Sequence, residues 1–269
     1  MKRLEERIRY RINKVRNWNF ERKSVQLVQD LEKALAENRE EIPVLVVSYN
    51  NAKYVQNTVH QLRTYGIKPI VIDNCSTDEN SLNILHEIEA AGDAQIVFSE
   101  HNFGYLVGFL NPVYKVLPEL FAYTDPDLQF HPDLPQNFLS VLAEVTEQYS
   151  VYKAGFALAL LEEEEMIDLE IEKLRGVPQI YPHKMSVREW EQQYWRMKLD
   201  HPALELYQAR HDTTFAVYRK SNLIDFYDGV RVAGNFSAIH LPWYPRLDLM
   251  SEADRRRYLE GNRSSTWLK

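Results

Sequence analysis

The sequence predicts an α/β protein with a mainly parallel sheet flanked by helices and with helical extensions at both ends. Three observations predict it. Between residues 43 and 125, short β-branched apolar runs alternate with segments that are apolar at helical spacing, giving the order βαβαβαβ. Polar residues (Ser48, Asp73, Asn102 and Asp125) fall where those strands should end. A hydrophobic content of 45% over 269 residues is enough for a substantial buried core.

The elements follow in order. The first forty residues read as helical: Leu4, Ile8, Ile12 and Val15 share one stripe, and Val25, Val28, Leu31 and Leu35 a second, separated by a polar break at Asn17 to Asn19. Pro43 to Ser48 is a continuous apolar run of the kind a buried parallel strand needs. Tyr54, Val55, Val59 and Leu62 mark a helix ended by Gly66, and Ile67 to Ile72 a second strand closed by Asp73 to Asp78. Leu82, Leu85 and Ile88 line the next helix, which stops near Gly92; Ala94 to Phe98 is a third strand. Phe103 to Leu117 supplies a helix before the strand into Asp125. Beyond residue 150 the pattern loosens. Strands are expected at Lys153 to Leu160 and Thr213 to Tyr218, a turn and strand at Val230 to His240, a charged helix at Glu162 to Arg175, and a capped helix at Ser251-x-x-Asp254.

Composition narrows the function classes. A net charge of −7 argues against a broad nucleic-acid surface. The charge is uneven, with nine Lys or Arg against three Glu in residues 1 to 23. The single cysteine, Cys75, forbids an internal disulfide and suits a reducing compartment. No N-terminal segment has the makeup of a signal peptide and no run approaches a membrane span. A soluble, cytoplasmic protein is expected. Its basic N-terminal helix either packs on the rest of the chain or on a second subunit, as in a homo-oligomer, or lies peripherally on the inner face of an anionic membrane.

The chemistry concentrates at Asp125-Pro126-Asp127. With 14 Asp in the chain such a pair arises easily by chance, so its position carries the reading. A turn at the edge of a sheet presents two hard oxygen ligands that Mg²⁺ or Mn²⁺ can share with a diphosphate. In parallel sheets ligands gather at the carboxyl ends of the strands, where Ser48 and Asp73 also lie. Dinucleotide binding would want a Gly-x-Gly-x-x-Gly turn after the first strand, and here that turn is Ser48 to Lys53, without glycine. No phosphate-loop Gly-Lys-Ser/Thr occurs either. A metal on Asp125 and Asp127 would neutralise the diphosphate, and Asp73 would accept a hydrogen bond from a base N–H or a ribose hydroxyl.

Val46-Val47-Ser48-Tyr49-Asn50, Val71-Ile72-Asp73-Asn74-x-Ser76-Thr77-Asp78, Asn102-Phe103-Gly104 and Asp125-Pro126-Asp127 together resemble the nucleotide-sugar half of family 2 glycosyltransferases with the GT-A fold. Trp190-Glu191, Tyr194-Trp195, His211 to Arg219 and His240 to Tyr244 are similar to a bacterial branch that assembles surface polysaccharides. The resemblance implies a GT-A-like mixed sheet. It divides the chain into an N-terminal helical extension (1–40), a catalytic domain (41–245, split at 130 into nucleotide-sugar and acceptor halves) and a C-terminal helical tail (246–269).

It also implies roles. Ser48, Tyr49, Asn50, Asp73, Asn102, Gly104 and Asp125 would bind the nucleotide sugar, with Asp73 on the base. Asp125, Asp127 and a late histidine, His240, would hold Mn²⁺ or Mg²⁺. Asp212 would be the general base of an inverting transfer, with Glu191 as the rival carboxylate. Read from the residues alone, Trp190, Tyr194, Trp195 and Trp243 either stack on acceptor sugars or pack in the core, and Arg255, Arg256 and Arg257 either cover the diphosphate or form a solvated face. The implied reaction moves a hexose, UDP-linked by preference, onto a glycan or lipid-linked glycan in polysaccharide biosynthesis. Two rival readings remain open: a sugar-nucleotidyltransferase, disfavoured by the missing Gly-rich basic loop, and a non-catalytic nucleotide-sugar binding module.

Overall fold

The computed structural model describes residues 20–38, 40–162, 164–167, 170–171 and 185–261. The first apolar stripe, Leu4 to Val15, lies outside them, as does the whole segment from 172 to 184. Alternation on the first strand sets the layers. In β1 (Val44–Ser48), Val44 and Val46 enter one hydrophobic cluster while Leu45 and Val47 enter another, on the opposite face. Every residue of the strand is buried, which is why its sequence reads as continuously apolar.

Three strands join β1 in parallel: β2 (Ile70–Asp73) on one side with β3 (Gln95–Phe98) beyond it, and β4 (Leu120–Thr124) on the other. The first face is covered by α2 (Ala52–Thr64), α3 (Glu79–Ala91) and α5 (Phe138–Gln148) through Val55, Val59, Leu62, Leu85 and Leu142. The second is covered by α1 (Val25–Glu37) and α4 (Asn111–Val116) through Leu27, Leu31 and Val113. Gly92 caps α3 with φ +74°, a left-handed position that suits glycine. Strand β5 (Leu128–Phe130) follows the acidic turn and leaves the main sheet.

The sheet continues through β6 (Lys153–Phe156), β9 (Lys198–Leu199), β10 (Leu206–Gln208), β11 (Ala216–Arg219) and β12 (Gly229–Val232), and its nine strands run in the order β3-β2-β1-β4-β11-β6-β12-β10-β9. Strand β11 is antiparallel to both β4 and β6, so the sheet is mixed. Two small pairs stand apart, β7 (Glu170–Ile171) with β8 (Met185–Ser186), and β13 (Ala238–His240) antiparallel to β5. Helix α6 (Val187–Gln192) opens on a Ser186/Glu189 capping box, and α7 (Glu252–Gly261) on Ser251, whose hydroxyl accepts from Asp254 N–H at 3.2 Å.

Three expectations need correction. Helix α1 buries Leu27, Leu31 and Ala34, while Val25 is 52% exposed. Of the expected stripe, Leu31 is buried and Val28 and Leu35 are half-buried against the same cluster; Leu27 and Ala34 join them, and Val25 alone lies outside. Phe103 to Leu117 is not one helix: a single 3-10 turn (Val107–Phe109) is followed by α4, restarted by Pro112 in its first turn. Within Glu162 to Arg175, the described residues 164–167 are irregular and Glu170–Ile171 is a strand. Met166 and Ile167 pack against the core from this irregular stretch.

Candidate active site

The site is assembled at one edge of the sheet. Ser48 pairs with Asp73 in register at the ends of β1 and β2, and Val46 pairs with Thr124, so Asp125 leaves β4 at the same edge. The loops there are tied to one another. Asn50 adopts φ +53°, tolerable for asparagine, and its side-chain oxygen accepts from Thr77 N–H at 2.7 Å and Asp78 N–H at 2.9 Å. Asn50 N–H donates to Ser76 Oγ at 2.8 Å. Ser48 Oγ donates to Asn51 Oδ1 at 3.1 Å, and that same oxygen accepts the N–H of Tyr49.

Asp73 is 1% exposed and accepts from Ser76 N–H at 2.9 Å and Ser76 Oγ at 2.5 Å. Burial pushes its carboxyl above the usual range while the Ser76 bonds pull it back. Asn74 then fixes the next loop: it donates to Asn102 Oδ1 at 3.1 Å and to the Gly104 carbonyl at 2.9 Å, and accepts from Phe103 N–H at 2.8 Å. Asn102 accepts Gly104 N–H at 2.8 Å. Asn102 and Gly104 thus shape a loop that brings Tyr105 beside Asp125 and Asp212, whose charges, after burial, help push the Tyr105 hydroxyl up to about 12.

The acidic turn is clamped from below. Thr58 donates to the Pro126 carbonyl at 2.5 Å and Gln61 to the Leu128 carbonyl at 3.0 Å, both from α2. Thr213 holds Asp125 twice, its carbonyl accepting Asp125 N–H at 3.0 Å and its hydroxyl donating to Asp125 Oδ2 at 2.5 Å. Burial pushes the Asp125 carboxyl well up, Asp127 and Asp212 add to it, and Thr213 and Lys153 oppose.

Asp127 is reached through the β5–β13 ladder. His240 pairs with Leu128, and Leu241 N–H donates to the Asp127 carbonyl at 3.0 Å. That register sets His240 Nε2 at 3.4 Å from Asp127 Oδ2. The other carboxylate oxygen, Oδ1, is buried and has no hydrogen-bond partner among the described residues. Such an orphan is costly unless something binds it. Among the described residues no three metal-binding side chains close around an ion by themselves. Of the three expected ligands, Asp127 and His240 are brought into contact while Asp125 Oδ2 is held by Thr213, so a cation bound there would take most of its ligands from a diphosphate and water.

The remaining site residues divide. Asp212 reaches solvent beside Asp125; burial of its surroundings pushes its carboxyl up, and Lys153, Arg231 and Arg210 pull it down. Glu191 is 2% exposed and paired with Arg231, which stacks on Tyr194 at 4.2 Å, so it stands as a structural carboxylate away from solvent. Trp243 is 1% exposed with its ring 4.6 Å from His240: it backs the imidazole and has no face for a sugar, which corrects the acceptor expectation. Trp190 and Trp195 are half-buried, against Tyr194 and Tyr207. Arg255 pairs with Asp248, Arg256 with Glu252, and Arg257 with Asp78 and Asp254. The residues that sequence reading missed are Thr213, Tyr105 and Lys153. Only Lys153 carried a signal, a lone cation opening an apolar run.

Residues 44–160 match the model of Glycosyl transferase family 2, and over that segment the chain is family 2-like. No curated protein matches. Among solved structures, a mannosyltransferase from Pyrobaculum calidifontis, in complex with GDP-Man and Mn²⁺, is 16% identical with a TM-score of 0.36, over 44% of this chain and 35% of that one. Residues 1–349 of TarS from S. aureus are 17% identical with a TM-score of 0.38, over 68% and 48%. A longer TarS structure gives 17% and 0.38 over 68% and 29%. The chain thus spans less than half of each. Among the described residues no helix is long and apolar enough to cross a membrane.

Proposed function

We propose that this family 2-like glycosyltransferase moves a hexose from a nucleoside diphosphate donor, uridine diphosphate in particular, onto a hydroxyl of a glycan or lipid-linked glycan. One observation carries the reading. Asp127 and His240, 113 positions apart, face each other at 3.4 Å across a two-strand ladder, beside Asp125 and the solvent-reaching Asp212. A purely structural turn has no need of a buried carboxylate oxygen left without a donor.

Asp125, Asp127 and His240 would hold Mn²⁺ or Mg²⁺, which supplies Lewis-acid stabilisation of charge on the departing diphosphate when bound. Ser48, Tyr49, Asn50 and Asp73 frame the base and ribose, with the Asn74–Asn102–Gly104 loop as the opposite wall. Asp212 accepts the proton of the acceptor hydroxyl as its oxygen attacks the anomeric carbon from the face opposite the diphosphate, giving inversion. A carboxylate pushed up by its surroundings is a better base near neutral pH than a free one. Trp190 and Trp195 flank the acceptor side. The setting is surface-polysaccharide assembly in the cytoplasm, with the basic N-terminal segment available to the inner membrane face.

The test is release of UDP from a panel of UDP-sugars with Mn²⁺. Wild-type turnover should require the metal and vanish in Asp127→Ala. Full metal-dependent turnover in that variant would remove Asp127 from the site. Pyrophosphate release from a sugar phosphate and a nucleoside triphosphate would instead favour the nucleotidyltransferase, and UDP binding without turnover the binding module.

A further inference from the structure

Beneath Asp212 lies a lysine that the reaction as drawn does not use. Lys153 opens β6 between Tyr218 on β11 and Gly229 on β12, and it is 0% exposed. Its ammonium donates to the main-chain carbonyl of Asp212 at 3.0 Å and otherwise meets rings, Phe226 at 4.0 Å and Tyr218 at 5.1 Å from their centroids. Burying a cation against a carbonyl and aromatic faces is expensive, and an apolar side chain would fill the same space without that penalty.

The surroundings are built to admit it. A Cβ on Gly229 would approach Lys153 Cγ to 3.1 Å and the Lys153 carbonyl to 3.0 Å. A Cβ on Gly155, two residues along β6, would strike His211 Nε2 at 2.5 Å and the Phe215 carbonyl at 2.3 Å. Two glycines thus leave room for Lys153 and for the fully buried His211, whose Nδ1 also faces the Asp212 carbonyl at 3.1 Å. With Tyr218 Oη at 3.4 Å, three side chains converge on one carbonyl, that of the residue read as the base.

We propose that Lys153 is a positioning residue for Asp212: it fixes the main chain that carries the carboxylate and sets a positive charge behind it. The inference rests on the reading of Asp212 as general base. Lys153 acts through the carbonyl and touches neither donor nor acceptor. Burial pushes its ammonium down to about 7, so the positive charge is present below neutrality and fades above it, while the bond to the carbonyl needs only an N–H donor.

The experiment is a double-mutant cycle on UDP release from UDP-glucose and UDP-N-acetylglucosamine with Mn²⁺, in which water takes the acceptor's place. Lys153→Met should lower kcat about 10- to 100-fold, the scale of a misplaced catalytic group, with KM within about twofold. Asp212→Asn should lose at least as much. In the double variant the loss should equal that of Asp212→Asn alone, because Lys153 has nothing left to position. Lys153→Gln, which keeps a donor without the charge, should fall between wild type and Lys153→Met, and it serves in place of methionine if that chain fails to fold.

Wild-type kcat in Lys153→Met, or losses that multiply in the double variant, would overturn the proposal. Calorimetry with UDP and Mn²⁺ separates the two levels of inference. Wild-type and Lys153→Met should bind alike; a wild type that neither binds nor turns over would sink the glycosyltransferase reading first, and the role of Lys153 with it.

Discussion

Lys153→Met should make the protein more stable, and by an amount that depends on pH in a defined way. The folded protein pushes the Lys153 ammonium from its ordinary value of 10.5 to about 7. Between those values the unfolded chain binds a proton that the folded chain does not, so stability rises with pH across that window by up to about 1.4 kcal/mol per pH unit. Below pH 7 the lysine is charged in both states and its full burial penalty, roughly 5 kcal/mol from the same shift, weighs on the fold. Methionine fills a similar volume and has no such penalty, and the Asp212 carbonyl keeps Tyr218 and His211. In urea unfolding, the advantage of the variant over wild type should be largest at pH 6 and shrink by roughly 2–3 kcal/mol by pH 9. Parallel stability–pH curves for the two proteins, or a variant weaker than wild type at pH 6, would refute the burial argument. Paired with its lower kcat, a more stable Lys153→Met would show the charge being kept at the expense of the fold.

Further outcomes can be measured on the same protein. His240→Ala should weaken Mn²⁺ binding by calorimetry about 10- to 100-fold in the presence of UDP, the scale of losing a ligand or its support, while unfolding stability changes by less than Lys153→Met changes it. Glu191→Gln should destabilise by about 3–5 kcal/mol in denaturant, because it leaves the Arg231 cation buried without its carboxylate; a loss of turnover with stability intact would instead return Glu191 to the catalytic candidates. Trp243→Ala should cost about 3–5 kcal/mol through the cavity it opens, and should weaken metal binding too, since the ring backs His240.

Residues 41 to 130 were legible because their signals are local. Strands β1 and β2 are buried on both faces, so Pro43 to Ser48 and Ile67 to Ile72 announce themselves as apolar runs. The loop after β2 is closed within one turn of the strand end, as Ser76 closes on Asp73. Where the local signal was ambiguous the reading slipped. On α1 only the sheet beneath decides that Leu27 and Ala34 go in while Val25 stays out.

The chain beyond residue 130 was less legible for a physical reason: its candidate residues are placed by pairings between distant segments. Nothing near His240 marks it as a partner of Asp127, yet the β5–β13 register allows the two to meet, since pairing His240 with Leu128 puts the imidazole one step from the acidic turn. A slip of one residue would send His240 to the other face of the ladder and bring Ile239 or Leu241 to the carboxylate. Trp243 shows the same logic in reverse. Its indole looked like a sugar platform from sequence because exposed and buried aromatics read alike, but the turn after β13 folds it inward against the imidazole. An aromatic that does lie open beside Asp212 is Tyr105, 43% exposed, delivered by the Asn102–Gly104 loop. Distant stretches of the chain therefore meet at Asp212. Asp212 and Thr213 come from the segment before β11 and Asp125 and Tyr105 from residues 41 to 130, and the Thr213–Asp125 bonds are the seam that holds them in register.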